Sequence, residues 1–134
     1  MRKWLRFIAL ILLVGGLTSC SGPPQISVLE DSLALGDVVN GEIVTREVTV
    51  QNVGESDLII EAVSTSCGCT KATVDPMRIP SDGNGTLTIV FDSGAHGPEL
   101  TGQLIRQVFI ASNDPQQPEI VVELAANILP PAEP

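Results

Sequence analysis

The stretch "GTLTIVFD", residues 85–92, alternates strictly: Leu87, Ile89 and Phe91 fall on one side of an extended chain, Thr86, Thr88 and Val90 on the other. Successive side chains of a strand point to opposite faces, so this pattern describes a half-buried β-strand. Outward from it, "EIVVELA" (119–125) sets Ile120, Val122 and Leu124 against Glu123, and "REVTVQN" (46–52) sets Val48 and Val50 against Glu47, Thr49 and Gln51. "DLIIEAV" (57–63) and "QLIRQVFIA" (103–111) are more apolar. In the second, Val108 and Ile110 oppose Ile105, Phe109 and Ala111, as in a strand that is central or covered on its outer face.

Turn-forming clusters separate these runs: "NVGESD" (52–57), "DP" (75–76), "SDGNG" (81–85), "GAHGP" (94–98) and "NDPQQP" (113–118). Glycine supplies positive φ, and proline fixes its own φ while biasing its predecessor to extended geometry. No window sustains a helical period. Short strands with turns every ~8 to 15 residues predict an all-β fold, an immunoglobulin-like antiparallel β-sandwich of about seven strands over residues 26–128. Its expected core is Val48, Val50, Leu58, Ile60, Leu87, Ile89, Phe91, Val108, Ile110, Ile120, Val122 and Leu124.

The ends read differently. Residues 1–19 have the layout of an export signal: a basic start (Arg2, Lys3, Arg6), an apolar run from Phe7 to Val14, and small residues behind it. The apolar stretch is shorter than the ~18 to 20 residues a membrane span needs. "LTSC", Leu17 to Cys20, resembles the bacterial lipobox, in which the cysteine receives a diacylglyceryl group and the signal is cut before it. The resemblance implies a lipoprotein of the bacterial cell envelope, anchored through palmitate-type chains on Cys20. Ser21 behind that cysteine matches the outer-membrane sorting outcome of some Gram-negative bacteria, with the domain facing the periplasm. Residues 20–25 then form a short linker, and residues 129–134 a Pro-rich tail.

Removal of the signal leaves Arg46, Lys71, Arg78 and Arg106 against 16 acidic residues. Such a surface repels phosphate backbones and offers no basic stripe, which excludes nucleic acid as an expected partner. The single Trp departs with the signal and there is no Tyr, so aromatic platforms for bases or sugars are scarce.

Read together, "NVGESDLIIEAVSTSCGCTKA", "IPSDGNGTLTIVFD", "GQLIRQVFIASNDP" and "PEIVVELAANI" resemble an uncharacterised family of bacterial envelope proteins. Its pattern is an Asn-x-Gly turn, a Leu-containing strand and Cys-Gly-Cys-Thr, matched here by Asn52, Gly54, Leu58, Cys67, Gly68, Cys69, Thr70, Asn113 and Asp114. The resemblance implies an immunoglobulin-like domain of the Hydin and major-sperm-protein type, a class of scaffolds and protein-binding modules.

The residues give little sign of catalysis. There is no Gly-x-Ser-x-Gly elbow, no phosphate loop and no His pair at zinc spacing. "DGN" (82–84) lacks the later acid of a calcium loop and reads as a hairpin turn, and His96 reads as a solvated side chain in a flexible loop. Cys67 and Cys69 are the chemical oddity. Three readings stay open, ranked in this order: thiols at a corner, a disulfide or redox pair closed by bending at Gly68, and a metal site. Two thiolates suit Cu(I), whereas structural zinc wants four ligands. In an extended strand, Cα atoms two apart lie ~6.5 to 7 Å from each other. Disulfides prefer about 5.5 to 6 Å. Lys71 reads first as a solvated side chain and would favour a thiolate at Cys69 only by leaning back. The leading expectation is a non-enzymatic, membrane-anchored binding or scaffolding module with an envelope protein as partner and no cofactor. The alternative is a thiol-redox or copper-binding protein using Cys67 and Cys69.

Overall fold

Nine strands form among residues 20–133, the part of the chain that the computed structural model describes. They are β1 (Ile26–Val28), β2 (Ser32–Val39), β3 (Ile43–Asn52), β4 (Leu58–Thr65), β5 (Thr70–Asp75), β6 (Arg78–Ile79), β7 (Asn84–Asp92), β8 (Gly102–Ser112) and β9 (Glu119–Leu129). One sheet has the order β1-β3-β7-β5 and the other β2-β9-β8-β4-β6. The expected export signal, residues 1–19, lies outside the described residues. No helix among the described residues is long and apolar enough to cross a membrane.

The alternation in "GTLTIVFD" is what seats β7 at the centre of its sheet. Leu87, Ile89 and Phe91 are buried, and β7 pairs with β3 (Val48↔Leu87) on one side and β5 (Val74↔Leu87) on the other. β8 and β9 supply Val108, Ile110, Val122 and Leu124 from the facing sheet. A second cluster, Val38, Cys69, Phe91, Ala126 and Ile128, closes the end of the sandwich where β7 finishes.

The sandwich departs from the sequence reading in several details. There are nine strands rather than about seven, because β1 and β6 are edge pieces of three and two residues that carry no periodic signal. The fold is not antiparallel throughout: β2 runs parallel to β9. Alternation in "SLALGDVV" is broken by a register shift between Ala34 and Gly36, where Gly36 takes a φ of 73°. Ile120 is half-buried against the core rather than within it, and Ile26, Leu33, Val38, Val74, Ile79, Ala126 and Ile128 join the core unpredicted. The "SDGNG" turn does not close a hairpin; it carries the chain from β6 in one sheet to β7 in the other.

The molecule has two ends. Strands β1 and β4 begin, and β3 and β8 finish, at the end where the chain enters; call it the near end. β2, β4, β7 and β9 finish at the far end, where β3, β5 and β8 begin. At strand rise, the ten residues of β3 separate the ends by ~33 Å. The linker is no free spacer at the near end. Glu55 N donates to Pro23 O (3.1 Å), Val53 N to Gln25 O (2.9 Å) and Ser56 Oγ to Gly22 O. Gly54 sits beneath this segment, and a methyl group there would run into the backbone of residues 23–25.

Candidate functional site

At the far end the chain leaves β4, turns through Ser66-Cys67-Gly68-Cys69 and enters β5 of the opposite sheet. The turn is tied to both layers. Ser66 N donates to Gln107 O and Gln107 N to Ser66 Oγ (both 2.9 Å) on one side, while Asp92 N donates to Cys69 O (2.8 Å) on the other. Thr65 Oγ1 reaches the carbonyls of Cys67 and Thr70 at 2.9 and 3.0 Å.

Cys67 and Cys69 are joined by a disulfide, so the first-ranked expectation of free corner thiols gives way to the second. The physical reason is the turn: the chain is not extended here, and the Cα separation falls to 5.3 Å. Gly68 does not explain the bend. Its φ is not left-handed, and a Cβ there would meet only open space. The two sulfurs differ in setting. Cys69 is buried against the second apolar cluster, while Cys67 is half-buried.

Three polar side chains converge on them. Arg106 Nε donates to Cys69 Sγ at 3.3 Å. Thr70 Oγ1 lies 3.6 Å from Cys69 Sγ and 3.7 Å from Cys67 Sγ. His96 comes over from the β7–β8 loop, so that one imidazole nitrogen and both sulfurs lie within 4.8 Å of one another. Among the described residues no carboxylate joins that set. His96 is exposed, as expected of a solvated loop histidine, yet its imidazole lies beside the two sulfurs. Its loop is pinned: Asn40 Nδ2 donates to Gly97 O and Leu100 O (both 2.9 Å), and Ser93 Oγ reaches Val39 O and Glu42 O at 2.9 and 2.8 Å. Gly97, at φ 88°, supplies the left-handed residue that this turn needs. The cation at Cys69 is Arg106 rather than Lys71, which is exposed. Strand alternation alone does not single out Arg106, since its meeting with Cys69 depends on sheet-to-sheet packing.

The near end has a different polar set. Asn52 is buried and uses its whole amide: Nδ2 donates to Ser56 O (2.7 Å) and Ile79 O (3.0 Å), and Oδ1 accepts from Gly54 N (3.0 Å) and Gln25 N (3.3 Å). Asn113 Oδ1 accepts from Ile59 N (2.8 Å). The carboxylate of Asp114 accepts from Ile26 N, Gln116 N and Gln117 N at 2.9, 2.8 and 3.1 Å. Burial alone would raise the pKa of Asp114, but the three amide donors outweigh it and hold the group below its ordinary value. Cys20 is exposed and unpaired at the start of this end.

Among the described residues, the outer sides of β2 and β5, the later part of β4 and the first part of β3 have no strand partner. β1 covers only Val50 to Asn52 of β3. Leu29 N donates to Thr49 O and Val53 N to Gln25 O, whereas Asn52 N donates towards β7's side, to Gly83 O. Backbone groups alternate in direction along a strand, so those of Ile43, Thr45 and Glu47 face outward, where no strand pairs with them among the described residues. Arg46 Nη1 covers Thr45 O at 3.1 Å, and Ile43 beside them is 67% exposed.

A family model described as a protein of unknown function, DUF1573, matches residues 26–128. The chain belongs to that family. No curated protein matches it. Among solved structures, this DUF1573 domain is similar to a protein of unknown function from Porphyromonas gingivalis (TM-score 0.69, 21% identity), covering 83% of this chain and 50% of that one. It thus spans half the length of that relative. It is also similar to a PapD-like domain of human CEP192 (TM-score 0.60, 14% identity, 94% and 99% covered) and to the E. coli chaperone DraB (TM-score 0.52, 13% identity, 81% and 56% covered). At these identities the likeness establishes the fold, an immunoglobulin-like, PapD-like β-sandwich.

Proposed function

We propose that this DUF1573 chain is a lipid-anchored protein of the bacterial cell envelope whose sandwich binds an extended segment of another envelope protein, without catalysing a reaction on it. The observation that carries the reading is the open edge of β3. Three outward residues, Ile43, Thr45 and Glu47, offer backbone groups to an incoming strand, Thr45 O once Arg46 swings off it, and exposed Ile43 offers an apolar contact beside them. Strand addition to an exposed edge takes its affinity from such main-chain groups and its selectivity from side chains alongside. Arg46 and Glu47 provide the charges that protect natural edges from indiscriminate pairing. A likeness to a chaperone and to a PapD-like domain is in keeping with a binding role.

The anchor is read from "LTSC" and from the position of Cys20. An acyl group on Cys20 would hold the near end at the membrane, since the docked linker leaves the sandwich little slack. The open half of β3 and the disulfide would then face away from it. The test uses the full-length chain in cells. Thr45→Pro and Glu47→Pro each remove one outward N–H and leave the β3–β7 ladder untouched. Both variants are expected to stay folded and membrane-bound while losing their crosslinked partner. Unchanged crosslinking in both would overturn the edge reading. Cys20→Ala is expected to leave an uncleaved precursor or a chain absent from the detergent phase; normal cleavage and partitioning would overturn the anchor.

A further inference from the structure

Beyond a binding edge, we infer that the far end is a redox-gated Cu(I) site, closed as the Cys67–Cys69 disulfide and opened by two-electron reduction, with Cys67, Cys69 and His96 as ligands. The observation is the convergence of three soft or borderline donors from two places in the chain, the Cys67–Cys69 turn and the β7–β8 loop. Both sulfurs and an imidazole nitrogen already lie within 4.8 Å of one another. The loop backbone that carries His96 is fastened through Asn40 and Ser93, which keeps the exposed imidazole within reach of both sulfurs.

The gate is a thiol–disulfide exchange with a dithiol. A thiolate of the dithiol attacks Cys67 Sγ, the less buried sulfur. The S–S bond breaks and its electron pair leaves on Cys69 Sγ, where Arg106 Nε–H stands 3.3 Å away to stabilise the thiolate. The second thiol of the reductant then displaces Cys67 from the mixed disulfide. The dithiol ends as a disulfide, and two electrons and two protons have passed to the cysteine pair. Binding of Cu(I) releases those two protons and forms two Cu–S bonds and one Cu–N bond.

Charge and ligand count select the ion. Two thiolates and Cu(I) sum to one negative charge, which the Arg106 guanidinium beside Cys69 offsets. With Zn(II) the same ligands sum to zero, so the guanidinium would have no anionic complex to stabilise. A structural zinc site also wants a fourth donor, and among the described residues none stands in the set. Thiolate and imidazole in low coordination suit Cu(I). The neighbouring surface is partly apolar, with Ile43 and Val90 beside Gly68, Cys69, Lys71 and Asp92.

The test is an anaerobic titration of the whole chain in detergent with Cu(I), competed against a chromophoric Cu(I) chelator, before and after reduction by a dithiol that is then removed. The expected result is no uptake by the oxidised protein and one equivalent per chain after reduction, with both thiols then protected from alkylation. His96→Ala should weaken binding by at least about tenfold, in line with the losses seen when metal-site residues are removed. Cys67→Ser with Cys69→Ser should abolish it, the β-sheet circular dichroism persisting in each variant. Uptake by the oxidised protein, failure of the reduced protein to bind, a pair that resists the dithiol, or unchanged affinity in His96→Ala would each overturn the proposal. The edge variant Thr45→Pro should bind Cu(I) normally, which separates this site from the binding edge.

Discussion

Both ends of this sandwich are braced by buried polar side chains, but only the far end also sets polar groups against sulfur. At the near end, Asn52 and Asp114 are buried, and each spends its side chain on backbone groups of its own turn and of another segment. A buried polar group without a partner is costly, and here every such group has one, so this end can be rigid. At the far end Thr65, Asn40 and Ser93 also close turns, but Arg106, Thr70 and His96 are set against sulfur. The groups able to do chemistry are thus gathered at the far end, beside that end's own turn-closing residues.

Stability measurements can break that comparison. The largest effect is expected at Leu58, fully buried where β4 starts at the near end. Leu58→Ala should cost about 3 to 5 kcal/mol, read from a denaturant midpoint. Asn52→Leu comes next: four backbone groups lose their partner at once, for a loss of about 2 to 4 kcal/mol. A near-neutral result would show that water can take over the role of the amide and that the near end is not fixed by it.

Acid sharpens the contrast. Asp114 has a lowered pKa in the fold, so its contribution is present above the unfolded carboxylate value of 3.8 and is lost as pH falls through the lower folded value. Stability should therefore decline below about pH 4. Asp114→Asn should lose about 1 to 2 kcal/mol at neutral pH and show a shallower acid decline. An unchanged acid slope would contradict the role given to this carboxylate. The smallest effect belongs to the far end. Closing a three-residue loop is worth only about 1.6 kcal/mol, so Cys67→Ser with Cys69→Ser should cost no more than roughly that and leave the folded spectrum intact. A double variant that cannot fold would make the pair structural and erase the distinction between the ends.

Much of the sandwich is legible in the chain, because strands such as β7 and β9 bury one face and leave the other half-exposed, and period-2 alternation records that directly. β2 is less legible: a bulge at Gly36 shifts its register, and its parallel pairing with β9 has no local signature. β1 and β6 are too short to show a period. At the site, the spacing of Cys67 and Cys69 suggests chemistry, and the closeness of a disulfide is foreseeable to within its Cα distance. The meeting with His96 and Arg106 is not, since one arrives on a loop pinned by Asn40 and the other from the opposite sheet. The anchoring role of Asn52 is visible only as the first letter of a turn; that its amide also holds Gln25 and Ile79 requires the packed fold.

The central claim is that the partner meets the open edge of β3 on the half of the molecule remote from the linker. It is tested most directly by placing a photo-activated crosslinking residue at Glu47 in one version of the full-length protein and at Gln116, exposed at the near end, in another. Irradiation of intact cells should give one discrete adduct from position 47, absent when Thr45→Pro is also present, and none from position 116. An adduct formed only from position 116, or one from position 47 that Thr45→Pro leaves undiminished, would contradict the account.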